Sequence, residues 1–307
     1  MKRIVIDTDA GVDDAQAILI AFGHKNTEIV AFTTVNGNVG VDKTTANVLK
    51  VLDIVGKDVP VYPGCARPLI NPLHHAAYVH GEDGLGDCGI PASKRKPEKK
   101  HAVQALMDLA NENPGELDLI AIGPLTNLAA AMQIDSQLPQ KYASLTIMGG
   151  AINAHGNTNV TAEFNIYADP EAAFVVFDHW PKVRVLSWET TMAHVFSKAD
   201  LERFFAMNTS KSKFFHDTNQ IILKFVRDRM NMEMLFAPDG LAVAAAIEPE
   251  IISQKEDHHL TVELCGTYTR GQTSVDWWDS SGKPSNAEII LEINHKRFIQ
   301  MMEDGLR

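Results

Sequence analysis

The regular alternation of short apolar runs with amphipathic segments constrains the fold of this chain more than any other feature of its sequence. Runs rich in Val, Ile and Leu are followed by stretches whose apolar residues recur at helical spacing. Strands that alternate with helices typically form a parallel sheet covered by helices, because each helix returns the chain to the start of the next strand. The sequence therefore predicts an α/β fold. The predicted strands are residues 4–6, 29–35, 59–62, 117–122, 145–148 and 183–186, with two late strands at 260–264 and 288–293.

The segments between these strands carry the helical pattern, and no repeat or low-complexity linker interrupts them. The chain has 307 residues, 45% of them hydrophobic, which suits one large core or two modest ones. The predicted helices are residues 15–22, 44–55, 101–111, 125–132 and 170–177, a mainly helical region at 198–232 and a C-terminal helix from about residue 295.

Four carboxylates follow the first predicted strand, at Asp7, Asp9, Asp13 and Asp14. In open α/β sheets, the carboxyl ends of the strands line the ligand crevice. One aspartate before a helix is typical of an N-cap, and Asp7 is the member that best suits a purely structural role. Four crowded carboxylates repel one another unless a cation offsets their charge. The cluster therefore predicts a hard divalent ion.

Composition and motifs argue against several functional classes. The formal net charge of −11 disfavours nucleic-acid polymers as partners, and a neutral small substrate fits better. The first strand-to-helix turn is acidic where dinucleotide-binding folds keep glycines, so a nicotinamide or flavin enzyme is not expected. No apolar run reaches the roughly 20 residues of a membrane span, and the N-terminus has no signal-peptide pattern. With three widely spaced cysteines, expected to be reduced, these features predict a cytoplasmic protein without a membrane partner.

Further motifs fall at other predicted strand ends and are expected to converge on the acidic cluster. With DTDxGxDD at the first strand, the motifs TTVxGN, HGxxGxG, PLTN and AEFN follow in this order. The constellation resembles the nucleoside hydrolases of the inosine–uridine type, from Ile4 to the C-terminal helix. The resemblance implies one domain over residues 1–307, with an open, mostly parallel mixed sheet and helices on both faces. It also implies hydrolysis of ribonucleosides, purine or pyrimidine, to free base and ribose, by a homodimer or homotetramer.

The resemblance further implies a role for individual residues. A calcium ion would be bound by carboxylates and one backbone carbonyl, and Asp13 would be the general base that deprotonates a calcium-bound water. Glu163 and Asn157 would lie toward the 5′-hydroxyl. The implied metal ligands are Asp9, Asp14, Asp239 and the carbonyl of Thr126, and the implied ribose-binding residues are Asn38, Asn157, Glu163 and Asn165.

These residue types also suit the chemistry. Cleavage of an N-glycosidic bond develops positive charge on the ribose, so carboxylates and amide oxygens stabilise the transition state more than the neutral substrate. A carboxylate near the 5′ position would repel a 5′-phosphate, so nucleosides should be preferred over nucleotides. Taken singly, Asn38 also fits a turn and Asp239 also fits a helix N-cap. Their co-occurrence with the other motifs favours the functional interpretation.

The sequence departs from the family pattern at Pro238. Many family members carry a histidine there that protonates the departing base, and purine-specific members carry a tryptophan. His80, in a glycine-rich loop suited to closure over a site, is the alternative candidate for the acid, although it also fits an exposed loop histidine. Trp188 could stack on the base or pack in the core. Trp277 and Trp278 could serve the rim of the site or a subunit contact.

Two alternative functions stay open at this level. A haloacid-dehalogenase-type phosphatase also opens with an apolar strand followed by Asp-x-Asp, but it leaves the second aspartate pair and the ribose-type residues unexplained. A non-catalytic nucleoside-binding protein would keep the pocket and lose turnover, an idea motivated by Pro238. The presence of Asp13 argues against this second alternative.

Overall fold

One large sheet organises the chain. The computed structural model describes residues 1–307 except for the side chain of Met230. The strands of the described chain are β1 Lys2–Thr8, β2 Thr27–Thr34, β3 Val61–Pro63, β4 Leu117–Ala121, β5 Ser144–Met148, β6 Val183–Leu186, β7 Phe196–Ser197, β8 Met234–Leu235, β9 Ile252–His258, β10 Leu260–Val262, β11 Thr273–Val275 and β12 Ala287–Ile293.

The main sheet has the strand order β3-β2-β1-β4-β5-β6-β12-β9. Its pairs are parallel except for the antiparallel pair of β9 and β12 at one edge. Strands β2 and β3 lie on one side of β1, whereas β4 and the strands that follow it in the sheet lie on the other side. Such a reversal of strand order opens a crevice at the carboxyl ends of the strands. The crevice therefore lies beside Thr8, the last residue of β1.

Helices cover both faces of the sheet and bury an apolar core on each. One core contains α1 together with α12 and α13, and the other contains α4, α5 and α8. None of the described helices combines the length and apolarity of a membrane span. The helices are α1 Val12–Gly23, α2 Val41–Val55, α3 Ala77–His80, α4 Ala102–Glu112, α5 Thr126–Ile134, α6 Leu138–Lys141, α7 Phe164–Ala168, α8 Pro170–His179, α9 Trp188–Ala193, α10 Lys198–Phe205, α11 Ser210–Met230, α12 Pro238–Ile247 and α13 His295–Leu306.

The structure confirms the predicted α/β fold and its mixed, mostly parallel sheet. Pattern reading missed β9, because its exposed sequence ISQKEDH carries almost no apolar residues. A charged edge strand of this kind blocks pairing with a further strand. The late strand predicted at 260–264 is shorter and pairs with β11 outside the main sheet. The helical region predicted at 198–232 divides into α10 and α11.

Candidate active site

Four aspartates gather where two helices begin at the carboxyl edge of the sheet. Asp9 follows β1, Asp13 and Asp14 lie in the first turn of α1, and residues 9–14 are called the acidic loop below. Asp239 lies in the first turn of α12, which packs against α1. Carboxylate oxygens of Asp13, Asp14 and Asp239 lie within 4.8 Å of one another. The partial positive charge at the N-termini of both helices offsets part of this negative charge.

Hydrogen bonds hold the acidic loop in place. Asp14 accepts hydrogen bonds from the backbone amide of Gly11 at 2.7 Å and from the hydroxyl of Thr8. Asn38 donates its backbone amide to Asp9 at 2.7 Å and its side-chain amide to Asp14 at 3.2 Å. Asn38 thus joins the loop after β2 to the acidic loop.

Two glycines make room for the carboxylate of Asp9. A β-carbon added at Gly37 would lie 2.7 Å from Cγ of Asp9, and one added at Gly123 would lie 2.9 Å from its Oδ1. This Oδ1 atom is buried and has no hydrogen-bond partner within the described part of the chain. A buried carboxylate oxygen without a partner is costly. A cation ligated there would remove that cost.

The ionisation of the cluster also favours a bound cation. Burial, followed by repulsion from Asp14, raises the pKa of Asp9 well above its ordinary value. Burial, followed by repulsion from Asp13, has the same effect on the pKa of Asp239. Burial raises the pKa of Asp13 and of Asp14 to about 6. A hard divalent ion would stabilise the ionised carboxylates, and the all-oxygen donor set suits such an ion.

Thr126, the residue expected to supply a backbone carbonyl to the metal, is not at the cavity described below. Thr126 is the first residue of α5, where helix geometry directs its carbonyl to the amide four residues later. Its hydroxyl donates to Asp169 at 2.6 Å, and it is not among the described residues that line the cavity below. Ile122, one residue beyond β4, does line the cavity, and its carbonyl accepts a hydrogen bond from Asn165 at 3.1 Å. The structure thus places Ile122, and not Thr126, among the described residues that line the cavity.

A cavity of about 250 Å³ lies beside the acidic loop. Asp9 and Asp14 lie behind its wall and are completely buried. Eight other sequence-predicted residues meet at this cavity. They are Asp13, Asn38, His80, Asn157, Glu163, Asn165, Trp188 and Asp239.

Backbone amides surround the carboxylate of Glu163. One oxygen accepts from Asn165 at 2.9 Å, and the other accepts from Gly150 at 3.0 Å and from Ile166 at 3.3 Å. Burial raises the pKa of Glu163 to about 7, while these hydrogen bonds lower it. Because both oxygens act as acceptors, the arrangement suits the ionised carboxylate.

The loop that carries Asn157 forms the exposed rim of the cavity. At one end, Glu189 accepts hydrogen bonds from the amides of Ile152 and Asn153 at 3.0 and 2.8 Å. At the other end, the amide of Asn157 donates to the carbonyl of Ala162 at 3.1 Å. The loop is thus anchored on both sides of Asn157.

His80 begins a glycine-rich segment, residues 80–89, called the flap below. Its Nδ1 accepts the amide of Val12 at 3.2 Å and lies 3.6 Å from Oδ1 of Asp13. Burial lowers the pKa of His80 to about 4, so the imidazole is neutral at pH 7. An acceptor role for Nδ1 places the proton on Nε2. His80 is therefore a buried cavity residue rather than an exposed loop histidine.

Aromatic rings form another part of the cavity wall. The ring centroids of Tyr78 and Phe225 are 6.0 Å apart, and those of Trp188 and Phe236 are 5.2 Å apart. Pro238, the first residue of α12, also lines the cavity. Pattern reading missed Tyr78, Phe225 and Phe236. Tyr78 and Phe236 stand two positions before His80 and Pro238, and this proximity is a weak signal in the sequence. Phe225, on α11, has no such signal.

The two late tryptophans lie away from this wall. Trp277 packs edge-on against His258, with ring centroids 4.9 Å apart. Trp278 is 90% exposed. Neither is among the described residues that line the cavity, so the structure does not support a place at its rim.

The sequence of this chain is similar to those of nucleoside hydrolases over nearly its whole length. The family model described as inosine-uridine preferring nucleoside hydrolase matches residues 4–300. The inosine-uridine preferring nucleoside hydrolase of Crithidia fasciculata is 32% identical, over 99% of this chain and 97% of its own length. Uridine nucleosidase 1 of Arabidopsis thaliana is 36% identical, over 91% of this chain and 84% of its own length.

Solved structures extend the similarity to the fold. An inosine-guanosine nucleoside hydrolase superposes with a TM-score of 0.93 and 31% identity. The alignment covers 99% of this chain and 98% of that protein. The names of these relatives include uridine, inosine and guanosine, so the named substrates differ among proteins that share this fold.

Proposed function

The chain belongs to the family of inosine-uridine preferring nucleoside hydrolases, and from this premise we propose the roles of its residues in catalysis. It is an N-ribohydrolase that cleaves the N-glycosidic bond of ribonucleosides. Family membership excludes the phosphatase, and the presence of Asp13 at the cavity argues against the non-catalytic binding protein. The observation that carries the proposed roles is the cluster of buried aspartates beside a cavity that also contains Asn38, Glu163 and Asn165.

We propose calcium as the ion, held by the carboxylates of Asp9, Asp14 and Asp239. The carbonyl of Ile122 replaces that of Thr126 in the proposed ligand set. Support comes from the oxygen-only donors and from the unpaired, buried Oδ1 of Asp9. When bound, calcium would lower the pKa of a water molecule and orient the hydroxyls of the ribose.

Asp13 is the proposed general base. Unlike the fully buried Asp9 and Asp14, it lines the cavity, and its side chain is 13% exposed. A base must reach the attacking water as well as carry a suitable pKa. Burial moves the pKa of Asp13 to about 6, which is closer to neutral pH than an ordinary aspartate. Asp13 would take the proton of the attacking water while the neighbouring carboxylates stabilise positive charge on the ribose.

Asn38, Asn165, Asn157 and Glu163 are the proposed ribose-binding residues. The side-chain nitrogen of Asn165 donates to the carbonyls of Ile122 and Met148, which leaves its oxygen as the acceptor for a ribose hydroxyl. Glu163 would accept a hydrogen bond from the 5′-hydroxyl and repel a 5′-phosphate.

The charge on Glu163 predicts selectivity for nucleosides over nucleotides. Inosine should be cleaved with a kcat/KM at least about 100-fold above that of its 5′-monophosphate, as expected for a buried like-charge contact. The Glu163→Gln variant should cleave inosine more slowly and discriminate less against the nucleotide. Equal cleavage of both substrates by the parent enzyme would contradict the proposed orientation of the ribose.

Departure of the base cannot use a side chain at position 238, because proline has no proton to donate. We propose that His80 assists, with Nε2–H as a hydrogen-bond donor to the base. The neutral tautomer supports this role, and the pKa of about 4 disfavours an imidazolium acid. Trp188 and the other aromatic residues would stack on the base.

One assay tests the metal and the reaction together. Inosine and uridine are incubated with the purified enzyme, free ribose is measured, and the assay is repeated after removal of metal by a calcium chelator. Release of ribose should stop with the chelator and return with calcium, and elemental analysis should find about one calcium per chain. Retention of tightly bound zinc, or activity that survives chelation, would refute the proposed ion.

We also propose, from the resemblance alone, that the enzyme is a homodimer or homotetramer. Light scattering on the purified protein measures the mass of the assembly. A monomer at micromolar concentration would contradict this proposal.

A further inference from the structure

Asn47 is a buried amide between the acidic loop and the flap. It lies on α2 and is 1% exposed. Its side-chain nitrogen donates to the carbonyl of Ala10 in the acidic loop at 3.0 Å, and to the carbonyl of Asp83 in the flap at 2.8 Å. Its oxygen accepts from Lys50 at 3.3 Å. One amino group thus bridges two segments of the active site that are far apart in sequence.

The chemistry of the contacts requires an amide at this position. Both partners of the nitrogen are carbonyl oxygens, so the side chain must offer two N–H donors and stay short. The flap also packs closely against it, since a β-carbon added at Gly84 would lie 2.7 Å from the nitrogen. Replacement of Asn47 would leave two largely buried carbonyl oxygens without their donor.

The two bridged segments bring catalytic side chains together. The flap begins at His80, whose Nδ1 accepts the amide of Val12 in the acidic loop and lies 3.6 Å from Asp13. The contact through His80 lies at the start of the flap, and the contact through Asn47 lies at Asp83. The flap is therefore attached to the acidic loop at two points, and only the second is remote from the cavity.

We propose that Asn47 is a positioning residue that fixes the flap on the acidic loop and so sets the place of His80 relative to Asp13. Asn47 does not line the cavity and acts through the backbone carbonyls of Ala10 and Asp83. The proposal rests on the catalytic roles given above to the cavity residues. It adds a residue outside the cavity on which the geometry of these residues depends.

Hydrogen–deuterium exchange of the metal-loaded enzyme measures the attachment of the flap directly. Several flap amides have partners within the flap itself, including those of Gly84 and Gly86, so their exchange reports opening of the segment. In Asn47→Ala, exchange over residues 82–87 should accelerate by about tenfold, as the loss of one or two hydrogen bonds implies. The KM for inosine should rise by about tenfold, with a smaller fall in kcat.

Thr45→Val is the matched control. Thr45 lies two residues earlier on α2, is buried, and donates to the carbonyl of Val41 at 2.7 Å, within its own helix. It also hydrogen-bonds to Thr34, on β2. This variant removes buried hydrogen bonds from the same helix without touching the flap. It should lower thermal stability while flap exchange and KM stay within about twofold of the parent enzyme.

Asn47→Asp provides a second test if the alanine variant does not fold. This variant preserves side-chain volume but removes both N–H donors, and its carboxylate faces two carbonyl oxygens. Flap exchange should therefore rise at least as much as in Asn47→Ala. Flap exchange and KM equal to those of Thr45→Val would overturn the proposal. The catalytic roles are tested separately. If they are wrong, Asp13→Asn should show normal turnover, and this result does not depend on how the flap behaves.

Discussion

Asp13 differs from its neighbours in the acidic loop because its carboxylate reaches the cavity. Asp9 and Asp14 accept hydrogen bonds from the surrounding loops and are closed off from the substrate side. Consecutive residues of one helix turn thus differ in exposure, which suits the proposed roles of Asp14 as a metal ligand and Asp13 as a base. The first turn of α1 makes this difference possible, since adjacent helical residues point about 100° apart.

Asp13→Asn should retain the fold and bind calcium while losing turnover. Removal of a positioned general base typically lowers kcat by about 10²–10⁴-fold. Ribose release from inosine, circular dichroism and metal analysis together measure these properties. Near-normal turnover would show that another group deprotonates the attacking water.

His80→Ala separates assistance to the leaving group from binding. The variant should lower the kcat for inosine by about tenfold or more and spare p-nitrophenyl riboside, whose leaving group needs little assistance. An equal loss on both substrates would instead assign His80 to binding or to closure of the flap. Unchanged kinetics on both substrates would exclude His80 from the reaction.

At the scale of secondary-structure elements, the site depends on close packing between loops from neighbouring strands. The loops after β2 and β4 approach Asp9 through Gly37 and Gly123, and the helices α1 and α12 start beside it. A side chain on either glycine would occupy space that the carboxylate needs. The space left by these two glycines is therefore part of the proposed metal site.

Gly37→Ala should displace Asp9 and weaken metal binding by about 10–100-fold, the range seen when groups that orient metal ligands are altered. Gly40→Ala is the control, since a β-carbon there meets nothing within 4 Å and its φ of −60° suits alanine. Calcium titration calorimetry on both variants measures the difference. Equal calcium affinities would show that Asp9 does not depend on the space at Gly37.

For the whole molecule, the buried acids couple stability to pH and to the ion. The pKa values of Asp13 and Asp14 rise from 3.8 to about 6, and that of Glu163 rises from 4.5 to about 7. The folded, metal-free chain therefore binds more protons than the unfolded chain between about pH 4 and 7. Its free energy of unfolding should fall as the pH rises through this window.

Calcium should flatten this slope, because the ion displaces the extra protons from the clustered aspartates and the unfolded chain is already deprotonated at these pH values. Thermal melts at pH 5, 6 and 7 would be compared in excess calcium and in excess chelator. The Tm is expected to fall with pH in chelator and to change much less with pH in calcium. Parallel pH profiles in the two conditions would contradict a metal site built from these acids.

The sequence by itself determined the strand-to-helix alternation, the position of the acidic cluster at a strand end and the family. These properties depend on local periodicity and on short motifs, which the sequence displays directly. It also predicted the acidic, amide and histidine side chains that line the cavity, because loops after parallel strands converge on one edge of a sheet. The prediction of a single domain over residues 1–307 stays a prediction.

Only the tertiary structure decided which groups face one another. It placed Thr126 at the start of a helix and Ile122 at the cavity, a difference that residue identity does not encode. Phe225 on α11 and Asn47 on α2 reach the site only through tertiary packing. A helical residue that contacts the site has the same spacing in the sequence as one that packs in the core, so no pattern marks these two. The physical reason is that such contacts depend on how distant elements pack, whereas the motifs depend on neighbours along the chain.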